Sequence, residues 1–423
     1  MSEEIKNKEK PMDAEGLAEY MYERRAIPYT LDELFKDVCK WIYLDNDRDF
    51  FDVILACSCD RRIKGEPLWV YGISASGGTK STMANILRDR EAFDIYMLDT
   101  LTEHTLVSGK LRKTKDGLEP VVGLLPQIDG KVLVIKDFTW ILGYNSDKRR
   151  EIFGQLRTIY DGYVDAGYGT MGKKLQIEAR IGLIAFVTPH IDDFTTLEAL
   201  LGTRFLRIRH RTEGFEREIE QKASGNFGKE DQIMLQISWL ATFFVRNLDF
   251  SKPVNISDEW MQRISQLAHY IALMRTQVQG EWWKGELQAI VSEPQTEIPT
   301  RLVKQLIKLS KLLMLIRGKS EFTEAEWNTL VRVAEDTIMP YTRSKILKLI
   351  LKHNYEVPST RAIAQELKVS WKHVKATLLL MEGCYILQFA EENNTDKFEL
   401  TDKAKTAMMM IYEPEKLQLV KST

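Results

Sequence analysis

Residues 68–87 read LWVYGISASGGTKSTMANIL. A short apolar run ends near Gly72, a small-residue loop follows, and MANIL continues as a helix. The loop, Ser74-Ala75-Ser76-Gly77-Gly78-Thr79-Lys80-Ser81, follows the spacing of the phosphate loop, G-x-x-x-x-G-K-[ST]. Ser74 stands at the first glycine and Thr79 at the one before lysine. Gly77, Gly78, Lys80 and Ser81 keep the pattern. Such a loop aims backbone N–H groups at phosphate oxygens, and glycine lets it curl tightly enough. The lysine adds a point charge, and the hydroxyl after it ligates magnesium. The positive end of the following helix favours the same anion. A small-residue turn joining a strand to a helix is the plainer reading of the same letters. The context of strand before and helix after favours phosphate.

Outward from the loop, further apolar runs of strand length occur at DIYMLD, KVLVIKD and RIGLIAFVT, each closed by a polar or turn residue. Helical stretches such as KRREIFGQLRTIYDG lie between them. Buried strands alternating with helices predict a parallel α/β sheet from about Leu68 to Arg211. A nucleotide-hydrolysing sheet needs a second strand ending in carboxylate. KVLVIKDF supplies Asp137, preceded by Lys136 where a second acid is usual. Asp137 is then the candidate for holding magnesium, for acting on water, or for both. It could also be an ordinary strand-end aspartate.

Before the sheet, LDELFKDVCKWIYL spaces Leu34, Val38 and Trp41/Ile42 as one face of a helix. After it, from Thr212 to about Met339, no strand pattern is seen. QIMLQISWLATFFV, ISDEWMQRISQLAHYIALM and PTRLVKQLIKLSKLLMLI read as helices. Trp282, Trp283 and the run Met408–Met410 read as helical core or contacts to a partner helix. Beyond Pro340, SKILKLILKH, STRAIAQEL and WKHVKATLLLMEG give three helices. YILQFA and KFELT then flank a polar turn as a hairpin, which is the order of a winged helix-turn-helix. The expected division is 1–49 a short helical region, 50–212 the α/β core, 213–340 a helical lid and 341–423 the winged helix.

The totals set outer limits. The chain has 423 residues, 44% of them hydrophobic, and a net charge of −2. That charge excludes a uniformly basic nucleic-acid coat but not a local patch. Cys39, Cys57, Cys59 and Cys384 are too few for a disulfide framework and read as buried thiols. No stretch reaches the ~20 apolar residues of a membrane helix, and the polar start has no signal core. A reduced, soluble, cytoplasmic protein without membrane contact is expected. No Ser-His-Asp or H-E-x-x-H arrangement occurs.

Taken in order, these motifs resemble the AAA+ module of minichromosome maintenance (MCM) helicases, and more closely the MCM-related ATPases of bacterial genomes and mobile elements. SASGGTKS is similar to G-x-P-G-[TS]-[AG]-K-[ST], and GLLPQIDGKVLVIKDF to G-A-L-x-x-A-x-G-G-x-x-x-I-D-E-F. In that register Lys136 stands at the magnesium aspartate and Asp137 at the water-orienting glutamate. LIAFVTP resembles the sensor-1 strand, with Thr188 for the usual asparagine. LGTRF resembles the S-R-F segment and makes Arg204 the arginine-finger candidate. IPTRLVKQLIKLSKLL resembles the sensor-2 helix and points to Arg301. The resemblance spans about Phe50 to Ile338 and implies a fold of AAA+ core, helical lid and winged helix. It implies ATP and Mg2+ as ligands, held by Ser76, Gly77, Gly78, Thr79, Lys80, Ser81 and Thr82, with Ser81 and Asp137 on the metal. It also implies a homo-oligomeric ring, expected to be a hexamer, in which Arg204 and Arg301 reach a neighbour's nucleotide. An arginine at a transferring phosphate is worth roughly 10³–10⁵ in rate. With about 50 residues before the core, no counterpart of the family's N-terminal oligonucleotide-binding barrel is expected in this sequence.

DNA, single-stranded or forked, is the expected partner. YVDAGYGTMGKKLQIEAR matches the family's channel hairpin, with Lys173 and Lys174 as contacts. LRKTKDGLEP matches a second insertion, with Lys113 and Lys115. Solvated loops are the plainer reading of both. Residues 341–390 hold eight Lys/Arg against three Glu, a local net charge of +5. Lys372 and Lys375 lie near the start of the expected recognition helix, where base contacts fall. Winged helices also dock proteins. The leading expectation is an ATP-dependent DNA motor, helicase or translocase. The alternative is a nucleotide-regulated DNA-binding regulator or loader with slow or no hydrolysis.

Overall fold

The computed structural model describes residues 10–44, 46–77, 79–88, 94–102, 105–107, 110–114, 117–121, 123–168, 173–194, 204–390 and 397–415. Two compact units divide it. The first takes 1–189, 209–254 and 311–321, and the second takes 190–208, 255–310 and 322–423.

The chain enters through three helices, α1 (Ala14–Glu23), α2 (Leu31–Trp41) and α3 (Arg48–Ser58). Thr30 starts α2 with a capping box. Its hydroxyl accepts from Glu33 N while the Glu33 carboxylate accepts from Thr30 N, which satisfies two otherwise orphaned donors. Leu34 and Val38 face inward as their spacing predicts. Helix α3 is buried from Phe50 to Ser58, including Asp52. The Asp52 carboxylate accepts from Arg48 Nε at 2.6 Å and from Arg317 Nη2 at 2.8 Å. Burial pushes its pKa up despite both guanidinium groups.

Next come β1 (Trp69–Ile73), α4 (Lys80–Ile86), β2 (Ile95–Leu98), and the hairpin β3 (Lys110–Thr114) and β4 (Gly117–Val121). After them lie β5 (Val132–Ile135), α5 (Thr139–Leu142), α6 (Ser146–Tyr160), the hairpin β6 (Tyr163–Tyr168) and β7 (Lys173–Glu178), β8 (Gly182–Val187) and β9 (Phe205–Arg209). Helices α7 (Glu216–Gly225) and α8 (Glu230–Arg246) follow. Five strands form one parallel sheet in the order β2-β5-β8-β1-β9, flanked by helices. Every residue of β1, β5, β8 and β9 is buried, as expected for strands covered on both faces. β8 pairs Leu183 to Val187 with Trp69 to Ile73 of β1, and Gly182 to Ala185 with Val132 to Ile135 of β5. Side chains pack so closely here that Gly72 has no room for a Cβ. One placed there would lie 2.8 Å from Phe186 and 3.2 Å from Ile54.

The second unit carries α9 (Asp258–Met274), β10 (Gly280–Trp283), β11 (Glu286–Ile290), most of α10 (Thr300–Ile316), α11 (Glu324–Thr337), α12 (Tyr341–Lys352), α13 (Thr360–Leu367), α14 (Trp371–Gly383), β12 (Leu387–Phe389), β13 (Phe398–Leu400) and α15 (Asp402–Tyr412). The expectation of no strand between Thr212 and Met339 is therefore wrong. β10 and β11 form an antiparallel ribbon around a two-residue turn, Lys284-Gly285, with φ of 48° and 80°. Positive φ at both turn residues is the type I′ arrangement whose twist suits a hairpin. The placing of Trp282 and Trp283 in a helical core is also wrong. Both sit on β10, 50% and 67% exposed. The methionine run does lie on a helix, α15, with Met408 in its core.

Among the other side chains, all four cysteines are buried and none forms a disulfide. Arg343 on α12 is fully buried. Its Nη1 donates to the Met274 carbonyl at 3.0 Å and to Thr276, and Nη2 reaches Cys384 Sγ at 3.8 Å. No helix of the described residues is long and apolar enough to cross a membrane.

Candidate functional site

The loop between β1 and α4 leaves the sheet at the C-terminal ends of its strands, where α/β proteins bind ligands in the crevice outside the sheet. Ser74 is buried, and its N–H donates to the Val187 carbonyl at 3.1 Å, so the loop starts fixed to the end of β8. Ala75, Ser76 and Gly77 are exposed, and Gly77 takes a φ of +74° that other residues rarely adopt. Gly78 lies outside the described residues. Thr79 turns inward, and its hydroxyl pairs with His210 Nδ1 at 3.0 Å. His210 in turn lies against the Phe50 ring at 5.1 Å. The Thr79 side chain is thus a tether for the loop, leaving only its backbone for a ligand.

Lys80 opens α4 half-buried, and its ammonium donates to the Ser74 carbonyl at 3.2 Å. Burial lowers its pKa, and the Asp137 carboxylate opposes that shift. An anion in the loop would add to the effect of Asp137 and hold the ammonium charged. Ser81 is exposed and Thr82 half-exposed at the next two positions.

Asp137 follows the end of β5 and is exposed. Its Oδ1 accepts from Thr139 N at 3.0 Å, which leaves the other oxygen for a ligand. Thr188 follows the end of β8, the strand between β1 and β5, and so stands between the loop and Asp137. Thr188 N donates to Thr139 Oγ1 at 3.1 Å, and the two hydroxyls lie 3.4 Å apart. Phe138 N donates to the Phe186 carbonyl at 2.8 Å. The end of β8 thereby positions both the loop and the carboxylate. Lys136 pairs with Asp99 at 2.6 Å. That contact offsets the positive charge beside Asp137.

Thr139, Asp99 and His210 are the residues that sequence reasoning passes over. Thr139 had a local signal, since an aspartate two positions earlier favours a side-chain turn. Asp99 and His210 had none, because their partners are 37 and 131 positions away in the chain.

The two arginine candidates lie in the second unit. Arg204 is buried, and its carbonyl accepts from Gln305 Nε2 at 2.8 Å. Arg301 is half-buried on the first turn of α10. Arg207, which alternation sets on another face from Arg204, is also buried and pairs with Asp192 at 2.8 Å. Arg275, charged beside Glu297 at 2.7 Å, feels repulsion from Arg301 and Arg207, but burial does most to lower its pKa.

Of the DNA candidates, Lys173 and Lys174 fall on β7 and Lys113 on β3, with side chains outside the described residues. Lys115 and the hairpin tip at 169–172 lie outside them altogether. Lys372 is exposed on the first turn of α14 and pairs with Glu286 of β11 at 2.7 Å. Lys375 is half-buried on the same helix.

Among the described residues, no group of three or more His, Cys, Asp or Glu is arranged to hold a metal by itself. A magnesium ion needs no such cage, since it binds through one or two carboxylates together with phosphate oxygens and water. The exposed Ser81 hydroxyl and Asp137 carboxylate are hard-oxygen donors of that kind.

Fold and site together define an α/β protein with a parallel five-stranded sheet between helices, compatible with a P-loop-like core. The chain matches no protein-family model and no curated protein.

Proposed function

We propose that this protein is a DNA-dependent ATPase of the MCM-like AAA+ type, a helicase or translocase working as a homo-oligomeric ring, with the C-terminal segment as a DNA-binding winged helix. The observation that carries the reading is the placing of the Lys80 loop and the Asp137 carboxylate at the C-terminal ends of the central strands, both fixed to β8. ATP would lie along Ser76–Thr82, with its outer phosphates at Lys80. Mg2+ would take the Ser81 hydroxyl and the Asp137 carboxylate, and would supply charge neutralisation at those phosphates. Thr139 and Thr188 would fix the direction of Asp137 and of a nearby water. Arg204 and Arg301 are assigned to a neighbouring subunit's nucleotide by resemblance.

Steady-state ATP hydrolysis with and without single-stranded DNA tests this. The wild type should be stimulated by DNA, and both Lys80→Ala and Arg204→Ala should lose the stimulated rate. A wild type that binds ATP yet turns over no faster than Lys80→Ala sinks the motor. That result would favour a second reading, a nucleotide-regulated DNA-binding regulator or loader. Its motivation is Lys136, a cation paired with Asp99 where a magnesium-binding acid is usual.

A further inference from the structure

Two adjacent tryptophans on one ribbon leave most of their surface in water. Trp282 and Trp283 are 50% and 67% exposed, although indoles are costly to leave uncovered. Neighbouring residues on a strand point to opposite faces, so the two rings stand on the two sides of the ribbon. The ribbon itself is firmly seated. Gly280 leaves no space for a Cβ against Leu287, with Leu380 of α14 next to it, and Gly383 of α14 leaves none against Ile290. Glycine at 383 lets β11 lie close against α14. The rings thus stand on a ribbon packed against α14.

Two ammonium groups border the rings, alongside the carboxylates of Glu281 and Glu286. The Lys284 ammonium lies 6.0 Å from the Trp283 ring centre. Glu286, cross-strand from Trp283, pairs with Lys372. Trp371, 52% exposed, precedes Lys372 at the head of α14. Aromatic faces next to ammonium groups suit unpaired bases and their phosphates.

We propose that the β10–β11 ribbon and the head of α14 form a binding surface for single-stranded nucleic acid. Trp282 and Trp283 stack on bases. Lys372, held by Glu286 in the free protein, exchanges that carboxylate for a phosphate. Lys284 takes a second phosphate beside Trp283. This rests on the reading of the chain as a DNA-binding protein, but adds a stacking site that the basic residues alone do not imply.

The test is fluorescence anisotropy of a labelled 20-nucleotide oligo-dT with the full chain across a salt series. Trp282→Ala/Trp283→Ala should weaken binding at least tenfold, with little change in salt slope. The paired phenylalanine variant, which retains ring faces, should stay within about threefold of wild type. Lys372→Ala should lower the slope by about one. Glu286→Gln, which leaves the ribbon's apolar contacts intact, should tighten binding several-fold. A 20-base-pair duplex should bind at least tenfold more weakly than oligo-dT, because paired bases hide their faces. Binding by the double alanine variant within twofold of wild type overturns the stacking site while leaving DNA binding itself standing. Equal or tighter duplex binding overturns it too, as does unchanged affinity in Glu286→Gln. A wild type that binds neither oligo-dT nor duplex at low salt removes the DNA-binding reading as well. In that case the ribbon is a protein-docking surface.

Discussion

The loop at the sheet edge and the ribbon on α14 are two answers to the problem of presenting reactive groups to solvent. At the sheet edge the foundation is apolar and the exposed groups are polar. β1, β5 and β8 are wholly buried, and Ser76, Ser81 and Asp137 rise from their ends. On the ribbon the order is reversed. The exposed groups are indoles, and a single helix supports them. Polar groups at strand ends cost little to expose, because they keep their water. Exposed indoles offer large contact area for few frozen torsions, but give up the burial that would have stabilised the fold. The first site is thus backed by much of a unit's stability, whereas the second is nearly independent of it.

Several measurements would break or sharpen that contrast. The largest effect belongs to the foundation of the loop. Asp52→Ala leaves Arg48 and Arg317 without their shared carboxylate beneath the sheet. It should cost about 3–5 kcal/mol in denaturant unfolding. A loss below about 1 kcal/mol would mean that the cluster is solvated and the foundation softer than described. Gly383→Val is next. It crowds the Ile290 side chain, at about 1–3 kcal/mol, and should loosen the ribbon. Faster amide exchange confined to 280–290 would show this, and unchanged exchange would refute the close seating. Trp282→Ala/Trp283→Ala should change unfolding free energy by only about 0.5 kcal/mol or less. A large drop would make the indoles structural and end the contrast.

The smallest effect concerns Lys80, whose pKa burial lowers from 10.5. A lowered lysine pKa means that the unfolded chain holds the proton more tightly, so stability rises with pH between the folded and unfolded values. Lys80→Met should therefore melt at or above the wild-type temperature near neutrality. The advantage should shrink as the pH approaches 10.5. An advantage that grows with pH would contradict a desolvated ammonium.

The two sites also differ in how far the amino-acid sequence discloses them. The strands of the sheet are continuous apolar runs ended by polar residues, and the loop keeps its lysine and hydroxyl at set spacing. Both signals are local. The capping box at Thr30 and Glu33 is local as well. The ribbon sends no comparable signal. Its strands have four and five residues, and Glu281, Trp282, Trp283 and Glu286 show no alternation of apolar and polar. Half-exposed on both faces, it has no reason to alternate. Its turn uses Lys-Gly where Asn-Gly would have been legible. Pairings such as Thr79 with His210, or Lys136 with Asp99, depend on tertiary placement and leave no trace in neighbouring letters.

Gly72 lies two residues before Ser74 and touches no proposed ligand. Any side chain there must displace Phe186. The Phe186 carbonyl receives the amide of Phe138, next to Asp137, and the following residue's carbonyl receives Ser74. A single methyl group in the middle of a strand would thus be transmitted to both halves of the site at once. In mutational screens, position 72 should behave like a residue of the proposed nucleotide site: intolerant of alanine on nucleotide binding even in variants that stay folded.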